Sequence, residues 1–241
     1  MTPLDEVRAL LFDVFGTCVD WRTCVAAQAR ELGRRRGVGD DVDWEAFADA
    51  WRSRYQPRME TVRSGAREWV SLDVLHREAL DEVVAEFGVA DAFGAGDRDE
   101  LTRAWHRLDP WPDTVAGLTR LRARFIVAPN SNAHVALLVN MAKRARIPWD
   151  VILGAQTAGA YKPLPEAYLR NVDLLGLAPR QVMMVAAHNN DLVAASACGL
   201  RTGFVARPHE YGPSQTTDLR ATGDWDVVAD DFIDLARQLG A

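Results

Sequence analysis

Val7-Arg8-Ala9-Leu10-Leu11-Phe12-Asp13-Val14-Phe15-Gly16-Thr17 decides the fold. Its apolar first half reads as a short buried strand that runs straight into Asp13. Beyond Thr17 the pattern becomes helical for a long way, with candidate helices over 22–36, 43–62, 67–87 and 97–108 and no convincing strand among them. Trp44, Phe47, Trp51 and Tyr55 recur there at helical spacing. At Pro110-Trp111-Pro112 the character changes again. Strands are expected over 125–128, 151–153, 182–186 and 202–206, with helices over 113–124, 133–146, 164–175 and 190–198. Strands separated by single helices imply right-handed crossovers and a parallel sheet covered on both faces. The expected fold is α/β, a doubly wound parallel sheet with an inserted all-helical cap. Residues 1–20 and 109–241 would form the core and 21–108 the cap. Reactive groups in such cores gather at the carboxyl ends of the strands, where Asp13, Ser131 and the 188–191 segment all fall.

The bulk numbers narrow the function. The chain has 241 residues, 48% hydrophobic and 26% charged, and a net charge of −6. An acidic balance argues against nucleic acid, whose phosphates need a concentrated basic surface. No apolar run is long enough for a bilayer, and no leader is expected ahead of Leu10. Cys18, Cys24 and Cys198 are odd in number and lack metal-ligand spacing, which fits a reduced, cytoplasmic compartment. The basic run Gly33-Arg34-Arg35-Arg36-Gly37 reads as a solvated helix end, where cations suit the dipole. Of the 28 basic residues only Lys143 and Lys162 are lysines, so a lysine here marks a place where a compact ammonium is wanted.

Asp13 alone could be a turn or helix cap. The segment Phe12-Asp13-Val14-Phe15-Gly16-Thr17, however, resembles the first motif of the haloacid dehalogenase superfamily, and three more stretches follow in the right order. Ser131-Asn132 closes a strand, Lys162-Pro163 follows the next, and Asp191 follows a third. The resemblance covers the whole chain, including the cap. Most members are magnesium-dependent phosphatases with a second Asp, the general acid, two residues after the nucleophile. That position is Phe15 here. A phenyl ring cannot protonate an alkoxide, whereas a departing halide needs no proton, only stabilisation of its charge. The sequence therefore resembles the dehalogenating subfamily acting on L-2-haloacids, hydrolases of carbon–halide bonds that need no metal or other cofactor.

The resemblance implies a role for each residue. Asp13 would be the covalent nucleophile, Lys162 the cation beside it, and Asp191 the carboxylate that positions water. Thr17 and Ser131 would donate to the Asp13 or substrate carboxylate; Ser131 could equally cap a helix beginning at Asn132. Arg52, in the pair Trp51-Arg52, would receive halide from the cap, since a guanidinium is weakly hydrated and never neutral. A solvated helix face, shared with Arg54, is the plainer reading of Arg52 alone. Asn132 would add an amide donor. Phe15, Tyr168 and Trp69 complete the expected substrate-binding set, and Leu72 and Trp105 suit a pocket wall or core packing equally. Tyr168 either holds a wet hydroxyl in the site or packs on its helix.

His188 stands where the best-known dehalogenases have an asparagine, in Ala186-Ala187-His188-Asn189-Asn190-Asp191. It would either share or take over the base role of Asp191, or hydrogen-bond in place of the amide. His76, His106, His134 and His209 lack such a context and read as surface or structural. The expected reaction is two-step hydrolysis of a short 2-haloacid to a 2-hydroxy acid through an aspartyl ester. A small-molecule substrate is the implied partner, with no nucleic acid or membrane, and the resemblance allows a homodimer. The rival readings are a magnesium-dependent phosphatase of a small metabolite and a non-catalytic interaction module. Retention of Asp13, Lys162 and Asp191 together counts against the module.

Overall fold

The computed structural model describes residues 3–39 and 41–241. Strand β1 (Ala9–Phe12) is wholly buried, and a two-residue strand β2 (Val19–Asp20) follows the turn after Asp13. Helices α1 (Trp21–Arg35), α2 (Trp44–Ser53), α3 (Tyr55–Arg63), α4 (Leu72–Glu86) and α5 (Ala95–Thr102) come next. Then come β3 (Asp109–Pro110), α6 (Thr114–Arg122), β4 (Ile126–Ser131), α7 (Val135–Ala145), β5 (Leu153–Gly154) and α8 (Ala155–Ala158). The chain ends with α9 (Glu166–Leu174), β6 (Val182–Ala186), α10 (Asn189–Ala197), β7 (Arg201–Val205), β8 (Val227–Ala229) and α11 (Phe232–Gln238). The residues divide into two compact units, one containing the chain up to Asp20 with Asp109–Ala241, the other Trp21–Leu108.

The first unit is a six-stranded sheet in the order β5-β4-β1-β6-β7-β8, parallel throughout. β1 lies at its centre, with β4 on one side and β6 on the other. The chain builds outward through β4 and β5, then returns across β1 to begin β6. That reversal opens a crevice at the carboxyl end of β1, the usual ligand position in such sheets. The strands read as near-continuous apolar runs because both faces are covered: all of β6 is buried. A separate antiparallel pair joins Val19 to Pro110 and Asp20 to Asp109, at the two junctions with the helical insertion.

The second unit is all-helical and is held by aromatic packing. Trp105 lies 5.5 Å from Trp51 edge-on and 4.4 Å from the stacked His76 ring. Trp44 stacks on Phe93 at 6.2 Å, and the Trp51 indole donates to the His76 carbonyl at 2.9 Å. Leu72 and Trp105 are buried in this core, whereas Trp69 is half-buried on the turn before α4. His76 and His106 are buried here too, with His106 Nε2 2.9 Å from Asp73; the sequence reading that allowed them a surface place gives way to a structural one.

Several boundaries differ from the sequence reading for local reasons. The helix expected over 43–62 breaks at Arg54, because Pro57 cannot donate to Ser53 and fits only in the first turn of a new helix. The helix expected from 67 starts at Leu72, after Gly65 at φ +75°. β4 runs on to Ser131, and α7 begins at Val135 with His134 as its N-cap, so Ser131 does not cap that helix. β8 and α11 were not expected at all. No helix among the described residues is long and apolar enough to cross a membrane.

Candidate active site

Asp13 continues the ladder of β1, its N–H bonded to the Val185 carbonyl at 2.9 Å, which fixes the backbone from which the carboxylate projects. Both carboxylate oxygens are engaged. Lys162 Nζ donates to Oδ1 at 2.8 Å; Thr17 Oγ1 donates to Oδ2 at 2.8 Å, and His188 Nδ1 lies 3.1 Å from the same oxygen. Lys162 also donates to Asp191 Oδ2 at 2.5 Å, and the Tyr168 hydroxyl donates to Asp191 Oδ1 at 2.6 Å. Asp13, Lys162, Tyr168 and Asp191 are all buried. The unpaired cost of burying such charges is several kcal/mol each, so close pairing is required here.

The network assigns protonation states. Burial works against the charged form of Asp13, but Lys162 and His188 outweigh it and hold its pKa well below the carboxylate range. Burial likewise opposes the Lys162 cation, and Asp13 and Asp191 more than compensate, so the ammonium is held above the ordinary lysine value. Asp191 is pushed up by burial and by Asp13, against the pull of Lys162. Burial and Asp191 together keep the Tyr168 hydroxyl protonated, as a donor.

Sequence reasoning missed Glu210. It is 1% exposed, lies in the long segment between β7 and β8, and accepts from His188 Nε2 at 2.8 Å. Burial would strip the His188 proton, but Glu210 on one side and Asp13 on the other hold its pKa well above the ordinary value. Gly16 makes room for this carboxylate: at φ +84°, a Cβ there would fall 2.0 Å from Glu210 Oε1. A glycine at a positive φ beside the nucleophile was the available signal. It did not say what filled the space.

The structure brings Asp13, Thr17, Lys162, Tyr168, His188 and Asp191 into one bonded network. Asn132 joins it through Oδ1, which accepts the Lys162 backbone N–H at 2.7 Å. That donor dictates the amide orientation and leaves the NH2 end as the donor. Ser131 Oγ accepts from Ala133 N at 3.2 Å, closing a turn at the end of β4. Position 15 holds the buried side chain of Phe15, which carries no acidic group. Tyr168, expected in the substrate-binding set, is fully buried and donates its hydroxyl to Asp191.

Arg52 and Trp69 belong to the helical unit. Arg52 is not on the solvated face shared with Arg54. Its guanidinium lies 4.1 Å from the Tyr55 ring centre and 5.5 Å from Trp21, while Arg54 pairs with Glu82 and Glu86. Stacking on aromatic faces leaves a guanidinium weakly hydrated, a suitable partner for a soft anion.

Magnesium fits this donor set badly. Lys162 bridges Asp13 Oδ1 and Asp191 Oδ2, and His188 and Thr17 take Asp13 Oδ2. A dication would have to share these oxygens with two cations already against them.

A strand-end carboxylate kept ionised at the switch point of a parallel sheet, with a helical insertion after the first strand, defines a class of hydrolases that work through an aspartate. A family described as haloacid dehalogenase-like hydrolase matches residues 7–199, and the chain belongs to it. Among curated relatives, (S)-2-haloacid dehalogenase 4A of Burkholderia cepacia is 30% identical over 214 residues, 86% of this chain and 88% of its own. A solved defluorinating L-2-haloacid dehalogenase is 55% identical with a TM-score of 0.94, covering 98% of this chain and 96% of its own. A second L-2-haloacid dehalogenase structure is 47% identical with a TM-score of 0.92, covering 97% and 99%.

Proposed function

We propose that the chain hydrolyses short L-2-haloacids to 2-hydroxy acids, through an ester on Asp13. The observation that carries this is an ionised, buried Asp13 with Phe15 two residues on. Such a site can displace a leaving group that needs no proton, and it lacks a carboxylic acid at position 15 to protonate one that does. The relatives named for this activity support the reading, and one is named for defluorination.

In the first step an Asp13 oxygen attacks C2 as the carbon–halogen bond breaks, and halide departs toward the NH2 of Asn132; the weakly hydrated Arg52 guanidinium of the helical unit suits the released anion. Holding the carboxylate on Lys162 and Thr17 converts a poor encounter into an oriented displacement. Ester formation removes the charge of Asp13, so His188 keeps only Glu210 to hold its proton. That proton leaves to solvent, and the neutral ring takes another from water as it adds to the ester carbonyl. Collapse of the adduct expels the hydroxy acid alkoxide, which takes the proton of the re-formed Asp13 carboxyl. One halide and one proton leave per turnover, and inversion occurs at C2. Asp191, committed to Lys162 and Tyr168, acts by fixing the ammonium. We place this chemistry in the cytoplasm, where Cys18, Cys24 and Cys198, which form no disulfide, stay reduced, with the enzyme acting alone or as a homodimer.

Halide release from 2-chloropropionate in excess EDTA tests the reading, with single-turnover labelling in heavy-oxygen water. Release should persist under chelation and the first label should enter Asp13. Activity restored only by magnesium, or label in the first hydroxy acid formed, would overturn it.

A further inference from the structure

Between β7 and β8 the chain runs from Ala206 to Asp226 without helix or strand. Such a long irregular segment is held by specific bonds or not at all. Glu210 is one anchor. Asn189 is another: its side chain and N–H bond to Asp218, to the Arg220 carbonyl, to Thr222 N and to the Trp225 indole. The third anchor is Arg207, which is 8% exposed and lies against the nucleophile loop.

The three carbonyls after the nucleophile turn are each taken by a side chain. The Trp111 indole donates to Gly16 O at 2.8 Å, Arg207 Nε to Thr17 O at 2.9 Å, and Thr114 Oγ1 to Cys18 O at 2.7 Å. The rest of the Arg207 fork is bidentate on Asp113, at 2.9 and 2.7 Å, and Asp113 also accepts the Phe232 N–H at 2.8 Å. The guanidinium lies 4.9 Å from the Phe232 ring centre. An ion pair serving only to join α6 to α11 would need no Nε bond to Thr17. Thr17, in turn, donates its hydroxyl to Asp13 Oδ2 and accepts from Ala187 N at 3.0 Å.

We infer that Arg207 is a positioning residue for the nucleophile, holding the Thr17 backbone so that its hydroxyl aligns Asp13 for ester formation. The inference rests on Asp13 being the nucleophile. Only a planar fork can span Asp113 and the Thr17 carbonyl at once, so a lysine in its place keeps the charge and loses the geometry. Misplacing a reacting group by about 1 Å costs on the order of 10²-fold in rate.

The test is a double-mutant cycle on Arg207→Met and Thr17→Val, read by single-turnover halide release from 2-chloropropionate, with KM and thermal melts alongside. Each single change should slow ester formation by ~10²-fold with KM little altered. The double variant should be no slower than the worse single one, because one residue acts through the other. Arg207→Lys, which keeps a buried cation for Asp113, should still be slow. Multiplying losses in the double variant, a raised KM with unchanged rate, or wild-type ester formation in Arg207→Lys would each overturn the assignment. Absence of halide release from the wild type would overturn it differently, by removing the nucleophile on which it rests.

Discussion

Both oxygens of Asp13 are committed, and to different kinds of partner. Oδ1 faces a fixed cation, while Oδ2 faces a hydroxyl and a ring that can gain or lose its proton. The proposed division of labour follows from that asymmetry and can be separated by substitution. Asp13→Asn should release no halide, since an amide is too weak a nucleophile. His188→Ala should release up to one halide per site and then stall with alkylated Asp13, visible as an added mass on the protein. Glu210→Gln keeps a bond to the ring but removes the charge behind it, so it should slow ester hydrolysis by ~10²-fold or more while sparing its formation. Halide release by His188→Ala beyond one per site, at the wild-type rate, would return the base role to Asp191.

At the scale of elements, the parts legible in the sequence are those with a period. β1, β6 and the core helices follow from apolar runs and helical spacing, and the motif residues sit at the ends of those strands. Glu210 and Arg207 were not legible because the 206–226 segment has no period; their partners, His188 and Thr17, lie 22 and 190 residues away. The break at Arg54 was missed by following Trp51 and Tyr55 past Pro57 as one stripe. That break matters to Arg52, whose guanidinium packs on Tyr55, the first residue of α3. Arg52→Lys should lose the planar fork and slow ester formation by ~10²-fold, the scale for one donor to developing charge. Wild-type single-turnover kinetics would return Arg52 to a packing role. Packing alone is tested by Gly117 on α6, where a Cβ would fall 2.4 Å from Phe232 Cβ on α11. Gly117→Ala should cost about 1–3 kcal/mol in urea unfolding as the helices part.

For the molecule as a whole, the site places Asp13, Asp191 and Glu210 around Lys162 and His188, and this cluster ties stability to pH. A histidine that holds its proton more tightly folded than unfolded stabilises the fold fully below its unfolded pKa of about 6.5. That contribution is lost as pH rises through the higher folded value, and His188 is held well above the ordinary range by Glu210 and Asp13, against burial. Each pH unit by which the folded chain keeps the proton longer corresponds to about 1.4 kcal/mol. Asp13 acts in the opposite window: its depressed pKa stabilises above the unfolded value of about 3.9, and that is lost on acidification. The buried Cys18 thiol, pushed well up by burial, also favours the fold less at high pH, so wild type alone cannot isolate the histidine. The comparison with His188→Asn can, because Cys18 is common to both. Urea melts at intervals from about pH 6 to 10 should show wild type the more stable at the acid end, with the gap narrowing steadily toward the alkaline end. A gap that stays constant across that range would mean His188 is neutral in the folded chain. The proton released on ester formation would then have no source in the site, and the proposed order of proton transfers would fall with it.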